Sequence, residues 1–588
     1  MRRFILAGLS LALTVSMAGS LPGSAVAAGQ PDDPTATAAL ATAQEVFTPL
    51  GANARGTGGT SAAQRSREAT LALADLVKVM DRLSPAQRKQ AEQLLARPDG
   101  TNGIAADPVV WNTSQTGFAC ATHVCIHYVQ PGVNSHAPAD TGWAETTTLN
   151  EMEAVYDFET GLGYRAPATD GTAGGDSRFD VYLADLGPLG LYGYCAPEKR
   201  VSGQVYRYTA YCVLDNDFVG FPLDPTASMQ VTAAHEFFHA IQFNYDTFED
   251  HWIMEATATW MEERYADGIN DNRQYIRYGQ THKPKVPLDK FGGFTHYGNW
   301  TFFEKLSQDY GVSSVLALWN RMDATKGARD QYSLQSVKGY LESKGTTLPK
   351  FYGRFAAGNL DPAYSYSEGS VYPAAPLEGS SRFTKSRRKI SFSTKLNHLT
   401  SKSYQLRSKV AGRHKVLINI NGPAKSAGPA VVVSVYTATG SIVRKVVKLN
   451  GQGDGHVRVA LNKPGTKRVV ITLANASARY QCWQRAAFSC QGKPRDNGSQ
   501  RGERWRVGAY ETMWFGGKLR CRRAATGWLF SLAEKQIRLH RDYIPLRVCR
   551  TVQAPTAFLR PSKARVISVT RGSISRGNSI TSRSFFRA

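Results

Sequence analysis

The spacing of apolar residues changes along the chain, and this change limits the folds open to it. Through residues 226–360 apolar residues recur every three to four positions, which is the period of packed helices. From about residue 385 they alternate with polar residues in short runs between Gly, Pro and Asn, as in antiparallel strands. Residues 109–225 mix both patterns. We therefore predict an α+β chain, with a mixed sheet and a helical part over 109–375 and an all-β sandwich over 385–480.

The N-terminus predicts export. A basic "MRR" precedes the apolar run "FILAGLSLALTVSMAG", and small residues around Ala27 and Ala28 offer a cleavage site. We assign 1–28 to a signal peptide, with an uncleaved membrane anchor as the alternative. No later run of about 18 apolar residues is present in the sequence. The expected location is therefore extracellular.

Residues 29–108 form a leader in this scheme. The stretch "REATLALADLVKVMDRLSPAQRKQAEQLLARP" reads as two helices, the second starting at Ser84 before Pro85. The leader is either a propeptide or a helical spacer. It contains no cysteine, so it cannot block a metal through a thiolate.

The chain has eight cysteines, which in an exported protein favour disulfides over thiol chemistry. None lies in a CxxC pair, so a cysteine zinc site is not expected. Proximity in sequence suggests three pairs and leaves Cys521 and Cys549 over. The pairs are Cys120 with Cys125, Cys195 with Cys212, and Cys482 with Cys490.

Positive charge is concentrated at the C-terminus. The net charge is +24, but residues 501–588 hold 19 Lys and Arg against only four Asp and Glu. This segment is either a disordered basic tail that contacts an anionic polymer or the cell envelope, or the product of a frameshift. Because the rest of the chain is only mildly basic, no specific nucleic-acid binding is expected.

The pentapeptide HEFFH lies on the apolar helical pattern at 226–243. Residues four apart share one face of a helix, so His235 and His239 can direct both imidazoles at one metal ion. Glu236 lies about 100° around the helix and can hold a water molecule, as in HExxH metallopeptidases. A chance match is the alternative, but two histidines and a glutamate without partners would be costly to bury.

The third ligand predicted is Glu255, at the start of the next helix. Two imidazoles and one carboxylate leave a fourth position for water, which is typical of catalytic rather than structural zinc. Tyr245 stands where a metzincin would have its third histidine. Competing ligands occur in the intervening loop: Asp246, Glu249, Asp250 and His251.

These residues carry a family resemblance. HEFFH followed by "WIMEATATW" resembles the gluzincin clan of zinc metallopeptidases, and "HYGNWTFFEKLSQDYG" is similar to a tyrosine-containing segment of aminopeptidase-N-type enzymes. "GGDSRFDVYLADLG" and "LYGYC" resemble secreted bacterial MXAN-type metallopeptidases. The resemblance covers about 109–480 and implies a zincin-like fold, one Zn²⁺ on His235, His239 and Glu255, and Glu236 as general base. The Gly-Ala-Met-Glu-Asn segment of aminopeptidases is absent from the sequence, so exopeptidase action is not implied.

The resemblance also points to Tyr297 as the hydrogen-bond donor that stabilises an oxyanion. His296 is the alternative donor, and a purely structural role of Tyr297 in core packing is the competing interpretation. Glu262 is a candidate hydrogen-bond partner of a ligand histidine. The competing interpretation is a solvated helix face shared with Glu263.

A second metal is a weaker prediction. Asp170, Asp176 and Asp180 offer hard oxygens that suit Ca²⁺, but their spacing does not match an EF-hand. The alternative is an ordinary glycine-rich turn before a strand.

Together these features predict a secreted zinc endopeptidase that hydrolyses protein or peptide substrates. Water activated by the metal would attack the peptide carbonyl, and Glu236 would carry the proton. The alternative is a secreted surface-binding protein that keeps a peptidase-like domain without catalysis.

Overall fold

The computed structural model describes residues 33–50, 68–100, 108–410, 414–461 and 466–478, and six shorter segments: 503–513, 520–524, 527–532, 535–538, 568–570 and 573–575. Within these residues, no helix is both long enough and apolar enough to cross a membrane. The predicted signal peptide and the predicted Cys482–Cys490 pair lie outside the described residues.

Three helices form the described part of the leader: α1 (Pro34–Val46), α2 (Ala69–Val79) and α3 (Pro85–Leu94). The predicted start at Ser84 is confirmed, because Ser84 and Gln87 form a reciprocal capping box there. The three helices share a small core of their own. It contains Ala36, Ala39, Leu40, Ala43, Leu76, Val79, Leu83 and Ala91.

A five-stranded sheet follows the leader, in the order β1-β2-β3-β5-β4. Strands β2, β3 and β5 are parallel, whereas β1 and β4 run antiparallel at the two edges. One face of the sheet packs against the leader and the other against the central helices. The strands are β1 Thr116–Cys120, β2 Val124–Val129, β3 Phe179–Ala184, β4 Gly193–Arg200 and β5 Tyr208–Asp215.

The helical part is organised around α5, which carries HEFFH. Asp224 caps its first turn by accepting from the N–H of Ala227, and Pro225 occupies the first helical position. Its residues from Val231 onwards are nearly all buried, so the helix is covered on every side. The helices are α4 Leu149–Gly161, α5 Pro225–Asp246, α6 His251–Tyr265, α7 Thr295–Gly298, α8 Trp300–Tyr310, α9 Ser313–Trp319, α10 Leu334–Ser343 and α11 Leu348–Gly358.

The C-terminal region is a β-rich unit of two facing sheets, ordered β11-β10-β13-β8-β6 and β12-β9-β14-β7. Inward-facing aliphatic side chains fill the space between them, as the period of two predicts. The strands are β6 Gly379–Phe383, β7 Lys389–Leu396, β8 Thr400–Ser408, β9 His414–Asn421, β10 Pro429–Thr437, β11 Ile442–Val446, β12 Asp454–Leu461, β13 Thr466–Asn475 and β14 Glu503–Met513.

The mixed α+β architecture with a separate β-rich unit is confirmed, but the predicted end of that unit at residue 480 is wrong. Strand β14 lies between β7 and β9, so part of the predicted tail over 501–588 completes the second sheet. Val507 and Ala509 both point into the core there, with Gly508 between them. Five short strands follow: β15 Arg520–Ala524, β16 Gly527–Leu532, β17 Lys535–Arg538, β18 Ser568–Thr570 and β19 Ser573–Ser575.

Two of the three predicted disulfides are present. Cys120–Cys125 closes the hairpin of β1 and β2, and Cys195–Cys212 joins β4 to β5. Such bonds are typical of proteins that fold outside the cytosol.

Candidate metal centre

Helices α5 and α6 bring His235, His239 and Glu255 together in the interior. Nε2 of His235 lies 3.1 Å from Nε2 of His239 and 3.2 Å from Oε2 of Glu255. Nε2 of His239 lies 3.6 Å from Oε1 of Glu255. All three side chains are buried. The structure therefore places the three predicted ligands around one point.

The outer nitrogen of each imidazole is held by its own acceptor. Nδ1 of His235 lies 2.7 Å from Oε1 of Glu262, and Nδ1 of His239 lies 2.7 Å from Oε1 of Gln242. The amide of Gln242 is oriented because its Nε2 donates to the carbonyl of Met254 at 3.0 Å. In the neutral form of each ring, the proton therefore lies on Nδ1 and the lone pair on Nε2, facing the other ring.

Three converging acceptor atoms are more easily explained by a cation between them than by contacts among the side chains alone. Two imidazole lone pairs and a carboxylate converge, and Oε1 of Glu255 has no hydrogen-bond partner among the described residues. In tetrahedral zinc sites with bonds of about 2.0–2.1 Å, neighbouring ligand atoms are about 3.3 Å apart. The three observed separations bracket that value. The donor set and its spacing are thus compatible with a metal ion held by three ligands, with one position left open.

The pKa values of His235 and Glu255 also indicate that a positive charge belongs between these side chains. Burial opposes the charged form of His235, yet hydrogen bonds to Glu255 and Glu262 raise its pKa to about 10. Burial likewise opposes ionisation of Glu255, but His239 and His235 hold its pKa below the usual range. The buried carboxylate therefore demands a positive charge beside it, which a proton provides when no metal is bound.

The carboxylate of Glu236 contacts the leader beside the edge strand β4. Its Oε2 accepts a hydrogen bond of 2.8 Å from the hydroxyl of Thr70 on α2. The same hydroxyl oxygen accepts from the backbone N–H of Cys195 at 3.0 Å. Glu236 is half-buried, whereas the three candidate ligands are buried.

His296 and Tyr297 both lie beside the metal centre. The rings of Tyr297 and His235 are 5.9 Å apart, and the rings of His296 and Tyr297 are 4.4 Å apart. Nδ1 of His296 accepts from the N–H of Gly292 at 2.9 Å, which places the ring proton on Nε2. That buried Nε2 has no hydrogen-bond partner among the described residues. Burial lowers the pKa of His296 to about 4, so the ring is a neutral donor at physiological pH.

The competing third ligands are engaged elsewhere. Asp246 and Glu249 gather with Asp330 in a separate acidic group. Oδ2 of Asp250 accepts from the hydroxyl of Ser333 at 2.7 Å. His251 pairs with Asp75 of the leader, as described below.

The predicted calcium ligands do not converge on one point. Asp170 and Asp180 both pair with the guanidinium of Arg97, whereas Asp176 pairs with Arg178. Arginine therefore neutralises all three carboxylates. This geometry favours the alternative interpretation of a structural turn.

Two residues of the site were missed by the sequence analysis. Gln242 was detectable in principle, because it follows His239 by three positions on a helix that is otherwise apolar. Thr70 was not, because it lies 166 residues before Glu236 and no local pattern links them.

Comparison with known proteins gives no family for the chain. No protein-family model and no curated protein matches the chain. A periplasmic inhibitor of g-type lysozyme from Escherichia coli is similar over 23% of this chain and 96% of its own, with 10% identity and a TM-score of 0.13. A pre-peptidase C-terminal domain of a Bacillus anthracis collagenase is similar over 23% and 97%, with 8% identity and a TM-score of 0.14. Likeness at this level identifies neither the fold nor the function of this chain.

Proposed function

We propose that the chain is a secreted zinc endopeptidase with a zincin-like catalytic domain. The observation that carries this proposal is the convergence of His235 Nε2, His239 Nε2 and a carboxylate oxygen of Glu255, with both Nδ1 atoms already committed to other acceptors. Zinc at this point supplies a Lewis acid that acidifies water and polarises a carbonyl group.

Glu236 is the general base of the proposed reaction. It lies on the same helix as the two histidines, next to His235, and is less buried than either of them. Its carboxylate takes the proton of the attacking water and later gives it to the leaving amine. An apolar or amide side chain at this position could do neither.

His296 is the favoured donor to the oxyanion of the tetrahedral intermediate. The Nε2–H group of His296 is buried and close to the ligand cluster. Nδ1 of the ring is already engaged by Gly292, whereas Nε2 has no hydrogen-bond partner among the described residues and can donate to an oxyanion. Tyr297, the donor implied by the family resemblance, remains the alternative.

An extended polypeptide is the substrate class that the surroundings favour. The edge strand β4 runs beside α5, and the N–H of Cys195 is not taken by a neighbouring strand. Edge strands bind extended peptides through backbone groups that no neighbouring strand takes.

The decisive comparison is zinc content and casein hydrolysis in wild type and Glu236→Gln. We expect about one zinc in each and hydrolysis by wild type alone. Zinc in both proteins without any hydrolysis would favour the surface-binding alternative. Two folded proteins that bind no zinc would show that the metal assignment is wrong.

A further inference from the structure

A basic cavity opens on the outer face of the sheet β11-β10-β13-β8-β6. Its volume is about 450 Å³, large enough for an anionic group with part of the molecule that carries it. The cavity is lined by Arg407, Tyr436, Thr437, Gly440, Lys467 and Arg468.

The strand register concentrates cationic side chains there. Arg382 lies opposite Arg407 on neighbouring strands, and Arg468 lies opposite Tyr436. The register then slips between Tyr436 and Thr437, so Lys467 is an extra residue in β13 and lines the same cavity as Arg468. Like charges on adjacent strands destabilise a sheet, and bulges often redirect a side chain for a purpose.

Among the described residues, few carboxylates lie close enough to the cavity to neutralise its arginine and lysine side chains. Arg468 stacks on Tyr436 at 4.0 Å and lies 3.6 Å from Asp361, but Asp361 also serves Arg444 at 3.6 Å. Among the described residues, neither Arg407 nor Lys467 has an ion pair with a carboxylate. Within the part of the chain that the structure describes, the cavity therefore keeps a net positive charge.

We propose that this cavity binds a tetrahedral oxyanion, a phosphate or sulfate group carried on a larger ligand. Arginine forks match such oxyanions through paired N–H donors, and Lys467 adds a point charge. This site is independent of the metal centre and of the proposed peptidase activity.

The test is calorimetric titration of the full chain with inorganic phosphate and, separately, with inorganic sulfate. We expect saturable binding that weakens at least tenfold in Arg407→Gln/Lys467→Gln. The matched control is Lys445→Gln, which removes an exposed charge on β11 away from the cavity and should leave affinity unchanged. Binding of one anion only would identify the chemistry. No saturable binding of either anion, or an equal loss in the control, would overturn the proposal.

A different observation concerns the leader. The Thr70 hydroxyl bridges Glu236 and the N–H of Cys195, and Thr70 is only 3% exposed. It therefore occupies the space between the proposed base and the edge strand. A substrate lying along β4 would need both of these groups.

Other contacts hold the leader in this position. Nε2 of His251, at the start of α6, lies 3.3 Å from Oδ1 of Asp75 on α2. Arg97, just beyond α3, inserts its guanidinium among Asp170, Asp180 and Glu198. The leader helices have a core of their own, and Ala69, Ala72 and Leu73 of α2 also pack in the core against the sheet.

We infer that α2 is an autoinhibitory element that must leave its position between Glu236 and β4 before a polypeptide can bind. This inference rests on the proposed peptidase function. It predicts slow hydrolysis by the intact chain and faster hydrolysis once the leader is released.

The experiment inserts the recognition sequence of a site-specific protease between Gly100 and Thr101 of the full chain. Casein hydrolysis and co-elution of the leader are measured before and after cutting. We expect the leader to separate and activity to rise at least tenfold. Asp75→Lys should raise the activity of the uncut chain, because it places like charges against His251 and Lys78. Glu92→Lys, an exposed charge reversal on α3, is the matched control and should not.

The outcomes separate the two proposals. Equal activity before and after separation would overturn the autoinhibition and leave the peptidase intact. A leader that separates only when the whole protein unfolds would also overturn it, since α2 would then be a permanent layer of the fold. A zinc-loaded protein that is inactive in every form would overturn the peptidase function, and the autoinhibition with it.

Discussion

Oε1 of Glu262 lies 2.7 Å from Nδ1 of His235, on the side of the ring opposite the metal position. A carboxylate there fixes the tautomer and makes the imidazole a better ligand. We expect Glu262→Gln to weaken zinc affinity about 10- to 100-fold. Competition with a fluorescent chelator measures this directly.

The matched control for that substitution is Glu263→Gln. Glu263 is the next residue on α6 and equally buried, but it accepts from Asn272 rather than from a histidine. Burial raises its pKa to about 8, so at pH 7 a neutral amide is a close replacement. Equal losses of zinc affinity in both variants would contradict a specific role for Glu262.

Gln242 makes a second prediction. Gln242→Leu removes the acceptor of His239 Nδ1 but keeps a side chain of similar size in an apolar region. We expect a 10- to 100-fold loss of zinc affinity, with far-UV circular dichroism unchanged. Unchanged zinc affinity would mean that the ring of His239 is fixed by packing alone.

Removal of the metal should lower thermal stability. A ligand present at 100 times its Kd stabilises the folded state by about 2.7 kcal/mol, which corresponds to a Tm shift of roughly 5–10 °C for a domain of this size. We expect a chelator to produce such a drop in wild type. Glu255→Ala should start at the lower Tm and show little further change with chelator; a full response in that variant would remove Glu255 from the ligand set.

The choice of oxyanion donor can be tested by kinetics. We expect His296→Phe to lower kcat by about 100-fold or more while KM changes little, because the hydrogen bond forms in the transition state. Tyr297→Phe should change kcat by less than about threefold, well short of the loss of an oxyanion donor. The reverse ranking would assign the donor to Tyr297.

The docking of α2 should depend on pH through His251. Burial and the positive charge of Lys78 lower the pKa of His251. The carboxylates of Asp75 and Asp250 raise it, and the net result is a pKa above the ordinary value. The stabilisation is therefore complete below about pH 6.5 and is lost as pH rises through the raised pKa. We expect hydrogen exchange of α2 amides, corrected for intrinsic pH dependence, to accelerate towards alkaline pH. His251→Gln should flatten that profile.

Local patterns in the sequence predicted the elements that carry the site. Histidines four apart on an apolar run place two imidazoles on one face, and the fifteen residues before Glu255 are enough for the helix end, the turn and the return. The same kind of local pattern predicted the β-rich unit and the two disulfides Cys120–Cys125 and Cys195–Cys212. These predictions needed only periodicity and short-range spacing.

Contacts between distant segments were not predictable in this way. The approach of Thr70 to Glu236 depends on how the leader docks against the edge of the first sheet. The insertion of β14 between β7 and β9 depends on pairing across more than 80 residues. Arg97 captures carboxylates that the sequence offered to calcium. In each case the deciding energy comes from tertiary partners that no local window contains.

The leader has a consequence for the cell that makes this protein. On the proposed function, a leader helix that contacts the general base would keep the chain from digesting neighbouring proteins, or other copies of itself, before the leader is released. Hydrolytic activity would then begin only after the leader has been cleaved and has separated, once the chain has left the compartment in which it was made.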